Sequence, residues 1–452
     1  MKLFNQLFNN KLDFFDKSSL LLFGILPISI IIGNASININ ILLINLLFLI
    51  YCFKFKIWSW LKRDIFLYLM VLYVFINLNS LYSYFILFEN QTKPFYLDGV
   101  LTFYNKDIVL KFYENDGVKR SFLFIKFILL VFAFSILLKN NKILGLVHKS
   151  WFFIIIIILL DTFIEKFIGR NIVGNISLDE TRIVSFFKDE MVVGGFIFCF
   201  GYVVTTYFIN DKKKDKSILP IALIFLLSPL SIFITGEKSN FIKSILLFFV
   251  IIYFFYKNNY NLSYKILLTS LFFLISCFTI FSAETRVKYS ETYHRIKPME
   301  GKTVILQNLY KISYFSHYDV AIKIFKNYPI TGVGNKNFRI ECYKKKYFNK
   351  QINLPHLGCI THPHQIHFEI LSEQGILGYF LILYLIVSFS IKNLKRAIKN
   401  KNVYHFSNTV YLMIFFIPLL PGGGIFSTFT GILFWTIFSL VNLDYEKSKK
   451  FL

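Results

Sequence analysis

CITHPHQIHFEILSEQGILGY, residues 359–379, opens as a polar, histidine-dense segment and runs directly into the apolar stretch 380–389. Four of the chain's eight histidines, His356, His362, His364 and His367, fall within twelve residues here. Thr361 can cap a helix start, with Pro363 in the first turn, where a missing N–H costs nothing. His364 and His367 are three apart and would then share one helix face. A polar segment feeding so apolar a run puts reactive side chains where a membrane helix meets water.

The rest of the chain has the same character. It is 55% hydrophobic and 19% aromatic, with a mean hydropathy of +0.56, which excludes an ordinary soluble domain. A formal net charge of +24 raises nucleic-acid binding, but the cations are spread over short loops between apolar runs. No basic block interleaves with a soluble domain, so nucleic acid is excluded as a partner and membrane lipid is not. The first apolar run, 20–32, follows Lys2, Lys11 and Lys17. No small-residue cleavage site follows it, so it reads as a retained span.

Apolar runs predict an all-α, polytopic membrane protein with about twelve spans. They lie near 20–33, 39–53, 65–88, 122–138, 151–167, 191–209, 218–234, 241–256, 266–281, 376–391, 410–420 and 425–441. With the N-terminus inside, the loops FKFKIWSWLKR, KNNKILGLVHK, NDKKKDK, YKNNYNLSYK and KNLKRAIKNK and the tail YEKSKK share one side, and all carry Lys or Arg. The opposite short loops, 34–38, 236–240 and 421–424, hold the single cation Lys238. That asymmetry puts both termini on the cytoplasmic side. Segment 282–367, between spans nine and ten, is a large outward loop that should hold helices such as 306–325. There is no repeat and no detached domain, so residues 1–452 read as one membrane-embedded unit.

Polar groups at the outer boundary of a membrane are costly and mark function by default. One set lies around the sixth span's start: Asp161, Arg170, Asn171, Arg182, Asp189 and Glu190. The tight turn TGEKSN supplies Glu237 and Lys238, with Lys243 one turn further on. Arg286 and Arg295 follow the ninth span, and the histidine stretch is the fourth set. Cations gathered outward suit a lipid-linked phosphate or diphosphate, which Arg binds bidentately while staying charged. A neutral histidine beside them can take a proton from a hydroxyl near pH 7. The plainer readings are snorkelling boundary cations, an acidic helix start at Asp189 and Glu190, and an ordinary loop residue at His356. A metal at HPHQIH lacks an obvious carboxylate or thiolate to complete its ligands, so no metal and no cofactor is expected.

These pieces together resemble the O-antigen ligase and O-antigen polymerase superfamily of bacterial inner-membrane glycosyltransferases. The resemblance covers roughly 161–379 and extends through the last span. In order, it comprises D…G-R-N…G; R-x-x-S-x-F-x-D-E-x-x-x-G-G at 182–195; T-G-E-K at 235–238; Arg286; G-V-G-x-x-x-F at 332–338; and H-P-H-Q…E-x-G-x-x-G at 362–378. It implies transfer of a glycan from undecaprenyl diphosphate to an acceptor hydroxyl, without metal, on the periplasmic face. The acceptor would be lipid A-core or a growing glycan. The resemblance puts the base on His364, the second histidine of the pair with His362, and diphosphate binding on Lys238 and Arg286. Lys238 stands where Arg is commoner, leaving Arg182 or Arg286 to supply bidentate binding. Gln365 stands where Asn is commoner, and Asp189, Glu190 and Gln365 would play supporting parts.

Cys52, Cys199 and Cys277 fall in or beside apolar spans, as small hydrophobes. Cys342 and Cys359 both lie in the outward loop, and a periplasmic loop would let them pair. A lipid-linked glycan flippase would also account for many spans and interior charge. Such transporters show related halves and midplane charges, whereas here the polar residues gather at one face.

Overall fold

The computed structural model describes residues 12–87, 93–97, 100–104, 116–177, 182–187, 192–211, 219–258, 313–347 and 359–449. Helices α1 (Phe14–Gly24), α2 (Leu26–Ile32), α3 (Asn34–Phe55) and α4 (Asp64–Tyr82) lead to a hairpin of β1 (Lys93–Leu97) and β2 (Val100–Tyr104). Then come α5 (Asp116–Leu123), α6 (Ile125–Leu137), α7 (Asn141–Ile168), α8 (Val193–Asp211), α9 (Leu219–Ile234) and α10 (Lys238–Lys257). After α11 (Ser313–Asn327) and the short α12 (Phe338–Glu341), in the segment expected to face outward, the chain closes with α13 (Ile366–Lys399), α14 (Val403–Phe415) and α15 (Thr428–Lys449). The protein is all-helical apart from that one hairpin among the described residues.

Among the described residues, eight helical stretches are long and apolar enough to cross a membrane. They are Phe14–Ile32, Asn34–Phe55, Asp64–Phe85, Gly117–Leu137, Asn141–Ile168, Val193–Asp211, Lys238–Lys257 and Ile366–Lys399, with Ile221–Ile234 and Thr428–Leu443 as shorter apolar helices. This is a multi-pass membrane protein, but the described helices do not reach the twelve spans expected. The ninth expected span lies outside the described residues. The eleventh is the 13-residue α14.

Helix α8 is the most enclosed of the eight, because its residues allow close approach. Gly201 faces Ser228 of α9, where an added Cβ would sit 2.7 Å from the Ser228 Oγ. Small residues at such a crossing let helices pack without a hydrophobic driving force. The N-termini of α7 and α14 and the C-termini of α8 and α13 surround a cavity of about 560 Å³, lined in part by Lys142, Lys149, Asp211 and Arg396. It sits at the end of α13 remote from the histidines.

The segment between α10 and α13 has its own small core, made of Val320, Ala321, Ile324, Val333, Phe338, Cys342, Tyr347 and Cys359. Inside it the structure joins Cys342 to Cys359, with their Cα atoms 5.2 Å apart.

Candidate active site

Helix α13 begins at Ile366, several residues later than Thr361 and Pro363 suggest. Gln365 is its N-cap: the side-chain Oε1 accepts from the backbone N–H of His367 at 2.7 Å and of Phe368 at 3.0 Å. Two donors that a helix start leaves unpaired are thereby satisfied. His364 therefore lies before the helix and shares no helix face with His367. Its φ is +53°, a left-handed conformation uncommon for a residue with a Cβ, and its carbonyl accepts from Gly422 N–H at 2.7 Å.

The structure separates the histidines into two kinds. Both ring nitrogens of His367 are engaged: Nε2 donates to the Phe416 carbonyl at 2.7 Å, and Nδ1 accepts from the Tyr379 hydroxyl at 3.1 Å. That ring is a strut between α13 and α14. His362 and His364 instead face one another, their centroids 4.2 Å apart. Burial lowers the His364 pKa to about 4, and the neighbouring His362 adds to the shift. Burial likewise lowers that of His362, with Glu369 opposing and Lys336 and Arg339 adding to it. Both rings are neutral at pH 7 and able to accept a proton, and His356 lies outside the described residues.

Beneath them is a buried ion pair absent from the sequence reading. Lys336 Nζ lies 2.7 Å from Glu369 Oε1, with the two side chains 4% and 1% exposed. Glu373 is buried one turn further along α13. The signal was present in the sequence: two glutamates four apart in an apolar helix need cations. Their partner Lys336 lies more than thirty residues upstream, and only the fold brings it in.

The motifs G-V-G and E-x-G turn out to be two edges of one backbone seam. Val333 N–H donates to Ser372 O (3.0 Å), Gly334 N–H to Glu373 O (2.8 Å), and Ile376 N–H to Pro329 O (2.8 Å). Gly332 (φ +68°) has no room for a Cβ, which would lie 2.5 Å from the Glu373 carbonyl carbon and 2.6 Å from the Gly375 nitrogen. Asn79 Nδ2 of α4 secures the seam from behind, within reach of Thr331 O (2.8 Å), Glu373 O (3.2 Å) and Gln374 Oε1 (3.0 Å).

The tight turn joins this site through the loop 421–424. Lys243 Nζ donates to Pro421 O at 3.1 Å and Ser239 Oγ donates to the same oxygen. The next residue, Gly422, is the one that holds the His364 carbonyl. Arg182 Nη1 donates to Gly236 O at 2.8 Å, and Lys238 opens α10 beside it. Glu237 is engaged within the fold. Its carboxylate accepts from the N–H groups of Gly194 (2.5 Å) and Gly195 (3.2 Å) at the start of α8, where a helix N-terminus favours negative charge. Burial nevertheless pushes its carboxyl above the usual range.

Asp161 and Glu165 are similarly structural. Asp161 accepts from Ile172 N–H (2.7 Å) and the Ser185 hydroxyl (2.5 Å), and Glu165 from the N–H groups of Val184 (3.1 Å) and Ser185 (2.6 Å). Together they pin the segment that delivers Arg182. Arg286, Asp189 and Glu190 lie outside the described residues.

The described site thus sets a pair of buried imidazoles and a cationic turn at one end of a bundle of membrane helices. Residues 222–383 match the family model described as O-antigen ligase. The match takes in the tight turn, the seam and the histidine stretch, and it supports the O-antigen ligase superfamily for this chain and a role in membrane glycan transfer in polysaccharide biosynthesis. No curated protein matches the chain.

Proposed function

We propose that this protein transfers a glycan from undecaprenyl diphosphate to an acceptor hydroxyl on the periplasmic face of the bacterial inner membrane, in the manner of an O-antigen ligase. The observation that carries the reading is the facing pair His362 and His364, neutral and desolvated, tied through Gly422 and Pro421 to the cationic turn. His364 takes the proton of the acceptor hydroxyl as its oxygen bonds to the anomeric carbon. The anomeric C–O bond to the diphosphate breaks, and its electron pair leaves on the diphosphate. Arg182, Lys238 and Arg286 hold that anion and offset the charge growing on it. The chemistry needs no metal, and both termini lie in the cytoplasm, as the distribution of cations among the loops indicates.

Purified protein in lipid nanodiscs, given a labelled lipid-linked glycan and lipid A-core, should release undecaprenyl diphosphate and label the core, with or without a divalent chelator. Elongation of the donor in place of core labelling would make it a polymerase. Movement of the donor across a bilayer without release would make it a transporter.

A further inference from the structure

Of the eight histidines, one that belongs to none of the motifs reaches the same site. His317 lies on α11, in the outward segment, and is buried. Its ring centroid is 5.9 Å from that of His364, and Tyr314, one turn earlier, stands edge-on to His364 at 5.5 Å. The helix is fixed there by the next residue. Tyr318 packs on Phe368 at 4.8 Å, and its hydroxyl donates to Leu419 O at 3.5 Å. His364 thus has two imidazoles beside it, His362 on its own segment and His317 on a helix from elsewhere in the chain.

Glycan transfer as proposed above leaves one proton on His364 per turnover, in a place where burial and His362 both disfavour an imidazolium. His362 is a poor next stop, because burial disfavours a positive charge on it as well, and Lys336, Arg339 and His317 add to this against the opposing Glu369. The charged and titratable groups around this point are His362 and Glu369 from the histidine stretch and α13, Lys336 and Arg339 from the segment that follows α11, and Tyr314 and Tyr318 from the same helix as His317. His317 comes from a separate helix, and its centroid distance of 5.9 Å from His364 is within reach of one bridging water or a small ring rotation.

We propose that His317 relays the proton: it takes from His364 the proton removed from the acceptor hydroxyl and passes it to water, returning His364 to its neutral form for the next turnover. The proposal rests on His364 being the base. His317 acts through His364 and touches no reacting atom.

The test uses the full chain in nanodiscs with labelled lipid-linked glycan, comparing wild type, His317→Gln, His317→Ala and His364→Ala across pH. His317→Gln should lower kcat roughly tenfold, a fraction of what a general base supplies. It should leave the donor KM near its wild-type value and make kcat depend on buffer concentration. Added imidazole should restore much of the activity of His317→Ala and none of that of His364→Ala. Unchanged kcat and pH profile in both His317 variants would overturn the relay, as would a uniform loss that imidazole does not restore, which marks a packing role. Full turnover by His364→Ala would instead remove the base assignment, a result separable from either of those.

Discussion

Gly332→Ala tests whether the seam between the outward segment and α13 is what requires glycine. The substitution has two parts. A φ of +68° costs a residue with a Cβ about 1–2 kcal/mol. The Cβ also meets backbone atoms at 2.5–2.7 Å, so the two strips must part. Parting loosens the bonds Val333–Ser372, Gly334–Glu373, Ile376–Pro329 and Leu377–Ile330, each contributing about 0.5–1.5 kcal/mol. The expected destabilisation is therefore on the order of 3–8 kcal/mol if the seam opens fully. Gly169→Ala is the control: its φ is +79°, and no atom lies within 4 Å of the added Cβ, so it carries the backbone strain alone. Thermal unfolding in detergent, read by intrinsic fluorescence, and protease access to segment 313–347 should both separate the two variants, with glycan transfer lost in Gly332→Ala. Equal shifts for the two would refute the close approach as the reason for glycine.

The other expectations concern chemistry and the covalent tie. His364→Ala should lose ~10²–10⁴-fold in turnover while inserting normally; a dead His362→Ala beside an active His364→Ala would move the base one step back. The acid limb of kcat/KM should fall well below the 6.5 of an ordinary histidine, towards about 4, because the base stays neutral until then. The same lowered pKa means the unfolded chain binds more protons between about 4 and 6.5, so folded-state stability should rise with pH through that window; a limb at or above 6.5 would contradict the buried setting of the ring. Arg182→Ala should raise the donor KM and Lys238→Arg should be tolerated, and unchanged kinetics in the first would reduce Arg182 to an anchor for Gly236. Cys342→Ser opens a 17-residue loop, worth about 3 kcal/mol on the chain-entropy model; two freely alkylated thiols in unreduced wild type would exclude the bridge.

The helical membrane architecture was legible because apolar runs report the bilayer directly, and the histidine stretch stood out by density. The local geometry was less accessible. Thr361 and Gln365 are both able to cap a helix, and the structure starts α13 at Gln365, whose side chain accepts from the N–H groups of His367 and Phe368. His367 carries the same side chain as His364, yet Tyr379 and Phe416 turn it into a strut, and residue 416 lies 49 positions away. Glu237 reads as a boundary charge until α8 is seen to begin against it. Lys336 and His317 belong to the site through long-range packing, which a periodicity along one chain segment does not record.

Asn79 has a practical bearing on attempts to exchange parts of this fold between relatives. The outward segment is the obvious part to exchange between relatives, since it carries its own core and its own cysteine pair. Its inner edge, however, is gripped by Asn79 from α4, and Asn335 donates to Ser121 Oγ of α5 at 3.1 Å. A chimera cut at the ends of the segment would therefore import a surface whose counterparts stay behind in the host, leaving buried amide and carbonyl groups without partners. Grafts that carry the matching residues of α4, α5 and the first turns of α13 would move as one piece, and that set, larger than the segment alone, is the unit that can be exchanged with its buried hydrogen bonds intact.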